Sequence, residues 1–166
     1  MKRSINYMYL LTATLTALLS IPAAHAMEGE RKRNNALEAS LLEACRNGDV
    51  ATAEKAIMEG ADVNERDLYP GHSILGATPL IHAIYNGHIN VAELLLRHKA
   101  DANKEGMFGG TPLVRAQTSQ CAELLIAHKA DVNQLCCGNT DSPLLSSIAQ
   151  GYLEIAKILL MFEFLS

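Results

Sequence analysis

Tryptophan is absent from this chain, and aromatic residues make up only 5% of its 166 positions. A core must therefore be assembled from Leu, Ile, Val and Ala, within a hydrophobic content of 49%. A basic patch is missing too, since 14 Lys and Arg stand against 18 Asp and Glu, a net charge of −4. Nucleic acid is accordingly not an expected partner. The chain also lacks a G-x-S-x-G elbow, a P-loop and a Gly-rich dinucleotide turn. It has no C-x-x-C pair for zinc, and no metal or cofactor is expected. What is left is enough for one globular domain, with no catalytic constellation.

The first 26 residues read as a secretory signal peptide. Lys2 and Arg3 form a positive start, and Tyr7 to Ser20 is an uncharged, largely apolar run. Pro22 breaks it, and Ala24-His25-Ala26 supplies an A-x-A cleavage site. The competing reading is an uncleaved membrane anchor, but the run is shorter than the roughly 20 residues a span needs. Cleavage leaves 12 basic against 18 acidic residues, a net charge of −6. The expected address is periplasmic or extracellular, an oxidising compartment.

The remainder repeats itself. M-E-G-A-D-V-N at 58–64 returns as R-H-K-A-D-A-N at 97–103 and A-H-K-A-D-V-N at 127–133. Upstream, T-P-L opens copies at Thr78 and Thr111, 33 residues apart, and S-P-L opens another at Ser142. Thr or Ser can cap the free N–H groups of a helix start, and Pro fits the first helical position. Leu80, Ile81, Ala83 and Ile84 then form an apolar stripe at helical spacing. Asn86-Gly87 turns the chain, and Val91, Leu94, Leu95 and Leu96 face back from a second helix. One such pair cannot bury its own face, so neighbours must stack.

This period and the T-P-L start resemble the ankyrin repeat, across about residues 36–166. The resemblance implies an all-α solenoid of stacked helix-turn-helix pairs carrying hairpin-like fingers. A polar linker at 27–35 would precede repeats at about 36–76, 77–110, 111–141 and 142–166. Each recurring phrase would close one helix pair and lead into the next finger. Gly60 occupies the place just past the second helix, where a left-handed residue commonly ends it, and Lys99 and Lys129 align there.

Departures from the pattern carry further expectations. Repeat one reads Ala39-Ser40 in place of T-P. Repeat three is three residues short between its helices, which predicts a tighter turn around Thr118-Ser119-Gln120. The first finger is long, with its surplus around residues 67–76. Repeat four ends in Met161, Phe162, Phe164 and Leu165, an apolar close that predicts self-association.

Cys45 and Cys121 align with Ile84 and Val91 and are expected to be small buried hydrophobes. The adjacent Cys136 and Cys137 fall on the third finger, as unpaired thiols, a link to a partner, or a redox or metal pair. His98 and His128 hold equivalent places and read as solvated helix-end residues. Asp62, Asp101 and Asp131 recur in register, which marks them as scaffold.

The resemblance implies a non-catalytic module that binds another protein through finger residues and the ends of the first helices. Carried onto this sequence, those positions are Arg46, Asn47, Tyr85 and Asn86 on helices, and Ile74, Leu75, Met107 and Phe108 on fingers, with Tyr69 added from the long one. Tyr is also among the residues most favoured in binding hot spots. The alternative for the apolar finger residues is that they pack inside their own hairpins. The module would bind, assist or inhibit a partner in the periplasm of a Gram-negative bacterium, or engage a host protein as a secreted effector. Membrane contact is expected only through an uncleaved signal peptide.

Overall fold

The computed structural model describes residues 32–68, 76–106, 109–136 and 141–165, with side chains as far as Phe162. The chain divides into two compact units, residues 1–36 and 37–166. Of the first, residues 32–36 are helical; the signal-peptide reading of residues 1–26 lies outside the described residues.

The second unit is a succession of helices. It opens with α1 over residues 37–47. There follow α2 (Val50–Met58), α3 (Pro79–Tyr85), α4 (Ile89–Arg97), α5 (Ser119–Ala127), α6 (Pro143–Ala149) and α7 (Leu153–Leu165). Among the described residues no strand forms, and an isolated antiparallel bridge joins Cys136 to Asp141. The pairs α3–α4 and α6–α7 pack within their repeats, while α2 on α4, α4 on α5 and α5 on α7 carry the stack onward. This is the all-α repeat solenoid that the sequence predicts.

Each T/S-P-L start works as its chemistry demands. The Thr78 hydroxyl accepts a hydrogen bond from the Ile81 N–H at 3.3 Å, and the Ser142 hydroxyl accepts from Leu145 at 3.2 Å. Pro then fills the first turn of α3 and of α6, where an N–H has no helical partner. Leu41, Leu80 and Leu113 enter the core at 0%, 1% and 3% exposure.

The recurring A-D-x-N phrase ties one repeat to the next. The side-chain amide of Asn64 donates to the Lys99 carbonyl, and its oxygen accepts from the Asp101 N–H. Asn103 does the same with Lys129 and Asp131 one repeat later. Each Asp also accepts from the N–H two residues on, holding its own turn. Scaffold is therefore the role these aspartates have. Gly60, Lys99 and Lys129 all take the left-handed conformation, with φ of 105°, 67° and 65°.

Repeat three corrects one expectation. The missing residues do not tighten a turn at Thr118-Ser119-Gln120; they remove the first helix. Only a turn forms over residues 112–115, although the Thr111 hydroxyl still accepts from Val114 at 3.3 Å. Thr118 becomes the cap of α5, its hydroxyl accepting from the Cys121 N–H. With six residues between Thr111 and Thr118, the chain has one turn's length before the next helix must begin.

Candidate functional site

Helix ends and finger bases are the parts of this fold free to vary, because the apolar faces between repeats are committed to the core. Asn47 is exposed at the end of α1, while Arg46 beside it is half-buried. The Arg46 carbonyl accepts from the His88 ring nitrogen at 2.8 Å, fastening the turn after α3 to the end of α1. Tyr85 is 39% exposed at the end of α3, and Asn86 caps that helix, its amide donating back to the His82 carbonyl at 2.8 Å. These four predicted residues therefore lie on successive first-helix ends, on a backbone held by hydrogen bonds. Ala149 and Gln150 are exposed at the corresponding end of α6.

Repeat three interrupts that row. Where its first-helix end would stand, Gln117, Thr118 and Ser119 face Tyr152 and Glu154 of repeat four across an open hollow of about 460 Å³. Sequence comparison located the deletion but not this hollow, since a gap in a repeat does not say which element gives way.

Tyr69, Ile74, Leu75, Met107 and Phe108 lie outside the described residues. The base of the long first finger is described, and it is closed. The Asp67 N–H donates to the Ala77 carbonyl at 2.8 Å, and the Gly76 N–H donates to the Asp67 carbonyl. The Asp67 carboxylate meets the His82 ring at 2.9 Å, with both side chains almost fully buried. Polar side chains so deep need hydrogen bonds, because burying a polar group without one is costly. Sequence reasoning missed this clamp. The available signal was a histidine within the otherwise apolar stripe of α3.

Neighbouring fingers are also laced together. Arg66 donates to the Glu105 carbonyl at 3.0 Å, and Gln134 donates to the Asn103 carbonyl and the Glu105 carboxylate. Near the first finger, partial burial raises the Glu38 carboxyl above its ordinary range, with Glu65 and Asp62 adding repulsion.

Cys45 and Cys121 are buried and free, as their alignment with apolar positions predicts. Burial pushes the Cys45 thiol up to about 12, so it stays protonated and inert. Cys136 is buried as well, its thiol donating to the Asp141 carbonyl at 3.2 Å; Cys137 lies outside the described residues. His98 and His128 are exposed at the ends of α4 and α5. Among the described residues no cluster of His, Cys, Asp or Glu could hold a metal, and no helix is long and apolar enough to cross a membrane.

Residues 41–134 match a family model described as ankyrin repeats, in three copies. The chain belongs to the ankyrin-repeat family. Such repeats generally serve as non-catalytic modules that bind other proteins. No curated protein registers as a match. Repeat four lies beyond the matched residues and is carried by its S-P-L start and the packing of α6 on α7.

Proposed function

We propose that the chain is exported with loss of residues 1–26, and that its repeats bind a partner protein in the periplasm or outside the cell. Binding there assists or inhibits the partner. One observation carries the binding surface: Asn47, Tyr85 and Asn86 are exposed at the helix ends of repeats one and two, on a backbone held by hydrogen bonds, and the base of the intervening finger is closed. A rigid scaffold presenting exposed polar and aromatic side chains loses little freedom on binding, which favours affinity. Arg46, Tyr69, Ile74, Leu75, Met107 and Phe108 complete the proposed surface. The export reading rests on the charge pattern, apolar run and A-x-A site of the first 26 residues.

Two measurements test the proposal separately. Intact mass of the recovered protein is expected to place its start at Met27, and a membrane-bound product keeping residues 1–26 would refute export. Affinity capture from that compartment identifies the partner. Tyr85→Ala is then expected to weaken its binding roughly 10-fold or more, a hot-spot effect, with thermal unfolding unchanged. Full affinity in that variant and in the Tyr69→Ser, Ile74→Ser, Leu75→Ser triple variant would move the site elsewhere.

A further inference from the structure

Two of the turns between helices carry an aromatic ring at the same place. His88 follows Gly87, and Tyr152 follows Gly151. The backbone holds them alike: the His88 N–H donates to the Ala83 carbonyl and the Tyr152 N–H to the Ser147 carbonyl, each at 2.8 Å. What the two rings meet is different. His88 lies on the Arg46-Asn47-Gly48 turn of the preceding repeat and donates to the Arg46 carbonyl at 2.8 Å. Gly48 makes room for it, since a Cβ there would stand 2.6 Å from the ring nitrogen Nδ1. Repeat three has no such turn, because its three residues are the ones missing between Gln117 and Thr118. Tyr152 therefore lines the open hollow of about 460 Å³ instead. Among the described residues, none supplies an acceptor for its hydroxyl.

We propose that a short uncharged turn of the partner protein fills this hollow, with a main-chain carbonyl toward the Tyr152 hydroxyl and a glycine against its ring. Three observations select that occupant. The junction of repeats one and two already covers the same ring position with a turn of that chemistry. The lining points the same way. Gln117, Thr118, Ser119 and Tyr152 offer hydrogen bonds without charge, and the Glu154 carboxylate is matched by Lys157 at 2.7 Å. Such a wall suits peptide groups better than an ion, because each peptide group brings one donor and one acceptor. Leu153, also in the lining, is 64% exposed, and a covering chain would take that apolar surface out of water. The volume falls within the roughly 300–1,000 Å³ of sites that hold small ligands. Its walls stand on the starts of α5 and α7, so the hollow is formed before anything binds, which favours affinity.

This inference rests on the partner-binding reading, and a probe that needs no partner separates the two. The probe is the tripeptide Tyr-Asn-Gly, acetylated and amidated, the turn that repeat two has and repeat three lacks. Added to the recovered protein at millimolar concentrations, it is expected to shift the NMR amide signals of Ser119, Gly151 and Tyr152, and to saturate. Inserting Tyr-Asn-Gly between Gln117 and Thr118 is expected to abolish these shifts. Tyr152→Phe is expected to weaken the probe roughly 3- to 10-fold, the weight of one hydrogen bond. That variant keeps the ring, so it decides the matter if the insertion fails to fold. The captured partner is expected to lose roughly 10-fold or more in affinity for the insertion variant. Full affinity there overturns the inference whatever Tyr85→Ala does, because Tyr85→Ala reads the helix-end surface alone. Where no partner is captured, the partner reading fails and the probe still reads the hollow. Absent shifts overturn the inference, as does probe binding that neither variant changes. So do shifts that come with protein concentration alone, the sign of a second copy in the hollow.

Discussion

Lys99 and Lys129 hold a backbone conformation that Gly60 takes at the same place in repeat one. A side chain with positive φ costs roughly 1 kcal/mol relative to glycine. A positive charge near a helix C-terminus returns about 0.3–1 kcal/mol, so the two effects nearly cancel. Lys99→Gly with Lys129→Gly is therefore expected to stabilise the fold by about 0–1.5 kcal/mol in total. The gain is larger in high salt, where the lost charge matters less. Urea melts at two salt concentrations check this, and a clear loss of stability would reveal a specific lysine contact. A larger effect is expected at the buried pair. His82→Leu removes the 2.9 Å hydrogen bond to the Asp67 side chain inside the core and is expected to cost about 1–3 kcal/mol. Adding Asp67→Leu should recover part of that, because replacing both partners of a buried hydrogen bond costs less than replacing one. The same melts measure both, and an undiminished loss in the double variant would mean that the two side chains act separately.

Helices answer to length as well as to pattern. Repeat two has Tyr85-Asn86-Gly87 between Ile84 and His88, and repeat three has nothing between Gln117 and Thr118. Inserting Tyr-Asn-Gly there is expected to turn residues 112–115 from a turn into a full helix, and to fill the hollow beside Tyr152. Far-UV circular dichroism should then gain about one to two turns of helix, and an unchanged spectrum would show that Arg115 and Gln117 resist the helix themselves. Much of this scale is readable in advance. The T-P-L and S-P-L starts, the apolar stripes and the A-D-x-N closures are local signals, and they place α3, α4, α5, α6 and α7. The loss of a helix in repeat three is not local, since T-P-L-V-R-A carries a valid start and only the competing claim of Thr118 as a cap stops it. The candidate site was legible in part for the same reason. Helix-end residues such as Asn47 and Tyr85 follow from register, whereas the Asp67–His82 clamp joins residues fifteen apart across a finger of unusual length.

Over the whole molecule, stability in a repeat stack is close to a sum of each repeat's own folding and its contact with the next. Equivalent residues should therefore differ in importance according to whether a neighbour covers them. Ile84 is fully buried between repeats, and Ile148 at the same register is 54% exposed. Truncating a buried isoleucine to alanine removes apolar contact and leaves a cavity, at about 2–5 kcal/mol. An exposed isoleucine loses little, so Ile148→Ala is expected to cost less than about 1 kcal/mol in dilute protein. Urea melts of both variants supply the test. A cost for Ile148→Ala as large as that for Ile84→Ala would mean that burial does not set the importance of this register position, and that the repeats are not close to additive.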